Sequence, residues 1–385
     1  MKKKIRYSLF IAVALLIGSC KSEAPKEAAI NEEQLEARED SLELIAAYAR
    51  QAKINTFIHP DVETKAMLSP DLYDDAADDM AVWVNASNPE KSLIIGTNKK
   101  GGIAVYNLQG EEIAFYPTGR INNIDVMYAC PVGNTTVDLV GCTNRSDQSV
   151  DLFRIDPSSG ALIDIAAHTL QIDTNEVKDV YGFCFYRGDK PFLFINGKNG
   201  VVQQFEIIPT AQQKIDLKLA RQVAFDSQTE GMVADEEFRV LYIGEEDKGI
   251  WKMPADPGAG EARTLVPKSG EDNPQINYDI EGLAIYKENG KGYLLASSQG
   301  NFSYAVFERA GNNRYLCSFK VADSSDIDGI EETDGIETVN KPLGKNFPKG
   351  IFVAQDGFNY SNGKLDRQNF KIVNWEKIEK LILQQ

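Results

Sequence analysis

Met80-Ala81-Val82-Trp83-Val84 is a short apolar run that follows Asp78-Asp79 and is succeeded, after a polar turn, by Leu93-Ile94-Ile95. Apolar runs of this length bounded by Gly, Asn and Asp read as strands. The pair recurs along the chain. Strands of the same kind open at Ile124-Asp125-Val126, Tyr181-Gly182-Phe183, Glu230-Gly231-Met232, Glu281-Gly282-Leu283 and Asp334-Gly335-Ile336. Each is followed by a second: Val137-Asp138-Leu139-Val140, Phe192-Leu193-Phe194-Ile195, Leu241-Tyr242-Ile243, Tyr293-Leu294-Leu295 and Ile351-Phe352-Val353. Third strands such as Ile103-Ala104-Val105-Tyr106, Val150-Asp151-Leu152-Phe153 and Tyr304-Ala305-Val306-Phe307 come next. The openings lie roughly 44 to 58 residues apart, the size of a propeller blade. The fold class is therefore all-β, and the architecture a six-bladed β-propeller. A large β-sandwich is the competing reading, but it does not need six copies of one unit.

A blade built this way places two sets of residues together. Strands one and two are antiparallel, so the residues opening strand one and those closing strand two share one rim. The openers are Asp78, Asp79, Asn123, Tyr181, Glu230, Asp279, Glu281 and Asp334. The closers are Asn98-Lys99-Lys100, Asn144-Arg145, Lys198-Asn199, Glu245-Glu246-Asp247, Gln299-Gly300-Asn301 and Gln355-Asp356. Strand ends are polar in any protein whose loops meet water. Wetness alone does not segregate a basic arc in blades one to three from an acidic arc in blades four to six. That segregation marks the rim as the functional surface.

The chain has 385 residues, 43% hydrophobic and 25% charged, a globular composition, and its formal net charge is −16. Nucleic-acid binders need a basic patch, so no nucleic-acid partner is expected. The charge suits a protein that gathers cations and uses them to reverse a local field. Lys2, Lys3, Lys4 and Arg6 precede an apolar run, Leu9 to Ile17, too short to span a bilayer. Ile17-Gly18-Ser19-Cys20 resembles a bacterial lipobox, so Cys20 is expected to carry a lipid. The expected organisation is a lipoprotein signal peptide over 1–19, a tether and short acidic helix over 20–53, and the propeller over 54–385. The expected location is the cell envelope. There the lipid alone ties the body to a membrane, the outer membrane first, facing the periplasm or the surface. A monomer is expected.

Cys130, Cys142, Cys184 and Cys317 show no metal-ligand spacing. Cys130 sits beside the turn Pro131-Val132-Gly133-Asn134 and Cys142 at the far end of the hairpin, too distant for a disulfide. All four read as buried small hydrophobes.

The chemistry narrows by elimination. Neither His59 nor His168 stands in an Arg-His-Gly context, and no cysteine has an Arg six residues later. There is no P-loop and no Gly-x-Ser-x-Gly elbow. Two histidines make a His-rich zinc or iron site an unlikely design. What remains is a surplus of carboxylate and amide oxygens, the hard ligands that calcium prefers. Asp326-Ile327-Asp328-Gly329 looks like part of an EF-hand loop, but Ser324 and Gly335 hold its first and twelfth positions. An EF-hand is rejected, and Asp326 and Asp328 read as a solvated loop.

A family resemblance rests on an ordered set of stretches. They are Asp75-Ala76-Ala77-Asp78-Asp79, Thr97-Asn98-Lys99-Lys100-Gly101-Gly102, Asn122-Asn123-Ile124-Asp125, Asn144-Arg145-Ser146, Val180-Tyr181-Gly182-Phe183 and Ser227-Gln228-Thr229-Glu230-Gly231-Met232. Glu245-Glu246-Asp247, Asp279-Ile280-Glu281-Gly282-Leu283, Ala296-Ser297-Ser298-Gln299-Gly300-Asn301, Thr333-Asp334-Gly335-Ile336 and Phe352-Val353-Ala354-Gln355-Asp356-Gly357 complete it. Together they resemble the motif set of β-propeller phytases, the alkaline calcium-dependent phytases, from about Asp74 to Glu376.

The resemblance implies a phosphoric monoester hydrolase of 3-phytase type acting on myo-inositol hexakisphosphate (phytate) or other inositol phosphates. It implies several calcium ions, structural and catalytic. By motif position Asp78, Asp79, Glu230, Glu246, Asp279, Glu281 and Gln299 would bind catalytic or channel calcium, joined by the Ile124 carbonyl. Asp334, Gly335 and the Asp356 loop would hold a structural calcium. Lys99, Lys100, Arg145, Tyr181 and Lys198 would grip phosphates. The catalytic group would be Lys100, Tyr181, Glu230, Glu246 and Glu281.

Physical chemistry agrees with this reading. A phosphate ester carries about two negative charges and repels hydroxide. Bridging calcium ions cancel that charge, acidify a shared water and orient it for in-line attack. Lys and Arg stabilise the equatorial oxygens. Three departures bear on the number and affinity of the calcium ions. Met80 stands where the family has Pro, Asn199 where it has Glu, and no secure counterpart of its upstream ligating Glu lies near Glu63. If Asn199 faces the catalytic cluster, its neutral oxygen should hold the weakest catalytic calcium loosely. Two other functions stay open: a non-catalytic calcium-stabilised propeller that binds a partner or glycan, and a phosphoesterase of broader specificity.

Overall fold

The structure of the protein, a computed structural model, describes residues 32–384. The signal peptide, Cys20 and the first part of the tether lie outside the described residues. A helix, α1 (Glu32–Gln51), leads into six antiparallel blades arranged in a ring. Blade one is Ala77–Trp83, Leu93–Asn98, Gly102–Asn107 and Glu112–Tyr116. Blade two is Ile121–Val132, Thr135–Asn144, Ser149–Ile155 and Leu162–Asp164. Blade three is Val180–Arg187, Pro191–Gly197, Val201–Pro209 and Ile215–Ala224. Blade four is Thr229–Asp235, Val240–Glu245, Gly249–Pro254 and Thr264–Leu265. Blade five is Ile280–Glu288, Lys291–Ser298, Ser303–Glu308 and Tyr315–Val321. Blade six is Ile336–Val339, Ile351–Asp356 and Asn369–Asn374. The expected six-bladed propeller is the observed fold. A short helix, α2 (Trp375–Ile382), follows, its Asn374 cap accepting the Glu376 N–H at 3.0 Å.

Strand one of every blade packs against strand one of the next, and that of blade six against that of blade one. The core is correspondingly divided into layers between blades. Ala81, Trp83 and Ile95 of blade one meet Ile121, Val140 and Cys142 of blade two, for instance. Trp375 of α2 stacks on Tyr286, ring centroids 3.7 Å apart, and seals the layer between blades five and six. The four cysteines are free and buried, as read.

Ring closure was not visible in the sequence. Blade six has only three strands of its own, and its outer strand is Val62–Glu63 from the N-terminal side, antiparallel to Ile372 and Lys371. Phe57–Ile58 adds in parallel to the outer edge of blade five. Two-residue strands carry no periodicity, so pattern reading has nothing to find.

One irregularity repeats. In blades one to five, strand one is bulged near its start. Ala77 pairs with Asn98 but Met80 with Gly96, and the same slip occurs at Ile121/Ile124, Val180/Phe183, Thr229/Met232 and Ile280/Leu283. A bulge re-aims side chains that regular pleating would alternate. The bulged pairs are Asp78-Asp79, Asn122-Asn123, Tyr181-Gly182, Glu230-Gly231 and Glu281-Gly282.

Candidate active site

The bulges aim the opening residues at the channel, and the glycines in them let the blades close up. A Cβ on Gly182 would lie 2.1 Å from the Glu230 carbonyl oxygen, and one on Gly231 2.0 Å from that of Glu281. A Cβ on Gly282 would meet the Asp334 carbonyl oxygen at 2.6 Å, and one on Gly335 that of Asp78 at 2.8 Å. Instead Gly282 N–H donates to Asp334 O at 2.8 Å and Gly335 N–H to Asp78 O at 2.9 Å. Polar residues of strand two complete the stitching to the next blade. Thr143 Oγ1 donates to Tyr181 O, Asn196 Nδ2 to Glu230 O and Ser297 Oγ to Thr333 O. A small polar side chain one residue from the end of strand two is thus explained by a neighbouring blade's carbonyl that would otherwise be buried unpaired.

Glu230, Glu246 and Glu281 converge, with one oxygen from each within 4.8 Å of the others. Glu230 and Glu281 are buried. Burial pushes the pKa of Glu246 up to about 8, with Glu230 adding to the rise. Burial also raises Glu230, and lifts Glu281 well above the carboxylate range. Glu281 Oε2 is buried without a hydrogen-bond partner among the described residues. Ionising an orphaned oxygen beside two other carboxylates costs free energy unless a cation joins it, which is why, without one, the group keeps its proton. The donor set, all hard oxygens, fits calcium, and Glu230, Glu246 and Glu281 are the residues that would hold it.

Beside the triad lies a second acidic group. Lys99 is buried, and its Nζ meets Asp78 at 2.9 Å, Asp334 at 2.7 Å and also Asp75. Burial works against the ammonium, but Asp334, Asp75 and Asp78 outweigh it and hold the Lys99 pKa well above its ordinary value. Gln299 Nε2 donates to the other Asp334 oxygen at 2.7 Å, and Asp334 N–H donates to Gln355 Oε1 at 2.8 Å. Burial raises Asp334 to about 7. Asp79 is buried, and its Oδ2 accepts the Ile124 N–H at 3.1 Å. Asp279 faces the Gln299 turn, its carbonyl accepting the Gln299 N–H at 2.9 Å.

The cations of blades two and three gather around one ring. Arg145 Cζ lies 5.7 Å and Lys198 Nζ 4.6 Å from the centroid of Tyr181. Arg145 is held by Asp179, Nε to Oδ1 at 3.1 Å and Nη2 to Oδ2 at 2.5 Å. Its Nη1 reaches Asn122 Oδ1 at 3.4 Å, and Asn122 Nδ2 donates to Glu230 Oε1 at 3.1 Å. Asn122 therefore joins the cationic group to the triad. Tyr181 is buried, and burial, with the charge of nearby Glu230 next, holds its phenol well above the ordinary range. Lys100 stands apart, at the edge, paired with Asp74 at 3.1 Å.

Asn122, Asp75 and Asp179 were missed as site residues by sequence reasoning. Asn122 was legible, since it occupies the bulge position that Tyr181 and Glu230 occupy in their blades. Asp179 was legible in the same way, since it stands where Asp279 stands one residue before its strand, whereas Asp75 has no repeat to mark it. Three expectations meet a different arrangement. Asp356 is engaged by Lys371, a buried ammonium 2.5 Å from both Asp356 Oδ2 and Asp328 Oδ1. Asp328 is accordingly no solvated residue, though Asp326 is exposed. Asn199 turns away from the triad. Its Oδ1 accepts the Lys178 N–H at 3.0 Å and its Nδ2 donates to Glu176 O at 2.9 Å.

A ring of blades whose channel mouth sets a carboxylate triad against an arginine, a lysine and a tyrosine defines a class: propellers that handle anions beside a cation site. Comparison with known proteins makes this particular. The family model described as Phytase matches residues 35–385. The chain is 45% identical over 311 residues to a 3-phytase of Bacillus subtilis (strain 168), covering 79% of this chain and 81% of that one. This chain belongs to the phytase family, and it is an enzyme of that class. Among solved structures it resembles the calcium-binding protein regucalcin from Agrobacterium tumefaciens str. C58 (TM-score 0.51, 9% identity, 83% of this chain and 95% of that chain). It also resembles a luciferin-regenerating enzyme (TM-score 0.51, 9% identity, 82% and 95%). At such identities these two likenesses concern the fold alone.

Proposed function

We propose that this protein releases phosphate from myo-inositol hexakisphosphate, or from related inositol phosphates, by direct attack of water, with calcium as cofactor. The observation that carries the reading is the contact between opposites: Asn122 bridges Arg145, at 3.4 Å, and Glu230 of the carboxylate triad, at 3.1 Å, while Lys198 shares the Tyr181 ring with Arg145. A phosphate seated on the two cations lies beside the oxygens that would hold the metal. Calcium bound there would supply the charge that lets a phosphate dianion approach carboxylates and that favours ionisation of a water.

The chain's own residues do the rest. Arg145 and Lys198 neutralise the equatorial oxygens, and Arg145 can do so with two N–H groups once it leaves Asp179. Asn122 fixes Glu230. The buried cysteines are kept from nucleophilic use by burial, which raises Cys142 and Cys184 well above the thiol range. His59 bonds the Ala322 carbonyl and His168 lies near Asp216, neither at the triad. With no such nucleophile at the site, the reading is a single displacement. Water oxygen bonds to phosphorus, the ester P–O bond breaks, and the inositol oxygen leaves as an alcohol with the proton.

Phosphate release from phytate, with and without calcium, measured against a panel of other esters, tests this. Phytate is expected to be preferred and the chelated protein inactive. Equal turnover of simple esters would point to the broader phosphoesterase, and no turnover of any ester to a binding propeller. Placement at the cell envelope through a lipid on Cys20 is proposed on the lipobox-like stretch. Cys20→Ala should move the protein from the membrane fraction to the soluble one.

A further inference from the structure

The helix that precedes the propeller does not stand clear of it. Near its C-terminal end α1 rests on the turn at Gly300 and Phe302 of blade five and on the bend at Glu331 that leads into blade six. Arg50 Nη1 donates to Gly300 O at 3.2 Å, and Gln51 Nε2 to Phe302 O at 3.4 Å. The Tyr48 ring packs edge-on to Phe302, centroids 5.2 Å apart, and Phe302 packs in the same way on Phe358, 6.1 Å away. Tyr48 also donates to Glu331 Oε2 at 2.5 Å.

These turns bear directly on the acidic ring. Gln299–Asn301 is a single 3-10 turn, and its Gln299 amide holds one oxygen of Asp334. The turn has no slack on its inner side, since a Cβ at Gly300 would lie 1.9 Å from Tyr278 O. Phe358 follows Gln355-Asp356, and the Gln355 side chain accepts the Asp334 N–H. So Gln299 sits on the turn that α1 touches, and Gln355 lies in the strand Ile351–Asp356, whose last residue accepts the N–H of Glu331, the partner of Tyr48, at 3.0 Å.

We propose that Tyr48 and Arg50 are positioning residues. By clamping the Gln299 turn to Glu331, which bonds Asp356 beside Gln355, they fix Asp334 and through it the cation- and phosphate-binding arrangement of the channel. This rests on the functional reading above, because the substrate used to test it is phytate.

The test uses the full chain. Tyr48→Ala/Arg50→Ala, which removes two hydrogen bonds and one aromatic pair, is expected to lower kcat/KM for phytate about tenfold. Calcium affinity by calorimetry should fall by a similar factor, in protein that still melts cooperatively. Tyr48→Phe, which keeps the ring but loses the bond to Glu331, should fall between. Ile45→Ala, on the same helix and 65% exposed, should change neither reading. In a cycle with Gln299→Ala the losses should be non-additive, because both act through one turn. Wild-type kinetics and calcium affinity in Tyr48→Ala/Arg50→Ala, even with a lowered melting temperature, would overturn the proposal. So would losses that add fully to those of Gln299→Ala. If the double variant does not fold, Tyr48→Phe and Arg50→Lys carry the same comparison. Should wild-type protein release no phosphate from phytate, the functional reading fails alone, and calorimetry still decides the role of α1.

Discussion

Arg145 meets Asp179 through two nitrogens, so its charge is already engaged before substrate arrives. A phosphate dianion offers the same bidentate geometry with more charge and displaces that carboxylate. Arg145→Ala should therefore lower kcat/KM for phytate by ~1.5–3 kcal/mol, roughly 10- to 150-fold. The melting temperature should change little, because Asp179, left behind, is part-exposed to water. Steady-state kinetics beside a thermal melt check both halves. Asn199 leads to the opposite expectation. Its amide uses an acceptor and a donor to pin the Glu176–Lys178 loop. A carboxylate can only accept, so Asn199→Glu should lose stability by ~1 kcal/mol in denaturant unfolding. Its calcium activation curve should superimpose on that of wild type. At this scale the sequence showed which residues crowd the rim but not which of them are already paired. Lys99 reads as a phosphate grip in the motif, yet three carboxylates from two blades surround it. Such encirclement depends on blade six lying beside blade one, which no local pattern states.

The first strand of each blade is where sequence and site meet. The repeated openings were legible because an acid or tyrosine before glycine is a rare combination for a strand. Its physical reason was not: the glycine is there because the next blade's carbonyl occupies the space of a Cβ. Gly231→Ala should then force blades four and five apart, since the new carbon would sit 2.0 Å from Glu281 O. The cost should be ~3 kcal/mol or more, as overpacking against immovable backbone. Because the displaced residue is Glu281, calcium affinity should fall along with the unfolding midpoint. Gly258→Ala, where a Cβ meets nothing within 4 Å, is the matched control. The seam strands lay beyond reading for the opposite reason. Phe57–Ile58 and Val62–Glu63 are too short to show alternation, and their partners are at the other end of the chain.

The whole ring concentrates buried carboxylates around one channel, and its stability should depend on pH in a definite direction. Burial raises Glu246 from 4.5 to about 8 and Asp334 from 3.8 to about 7. Between those limits the folded, metal-free protein binds protons that the unfolded chain has released. Its stability is therefore full at the acid end and is lost as pH rises through about 8. Calcium replaces those protons, and at a hundred times its dissociation constant adds ~2.7 kcal/mol per site. The rise in melting temperature on adding calcium to chelated protein should be larger at about pH 9 than at about pH 6. Scanning calorimetry at the two pH values, with buffers matched in ionic strength, reads this. An equal rise at both would mean that the acids are ionised without metal. The seam of the ring has a consequence in time. Val62–Glu63 is made about 300 residues before its partner Asn369–Asn374. During synthesis the chain must carry an open ring with a vacant edge, and joining ends roughly 300 residues apart is slow. The ring cannot shut until both halves of its latch have been made. A transcript cut short before Asn369 would yield five complete blades and nothing to fasten them.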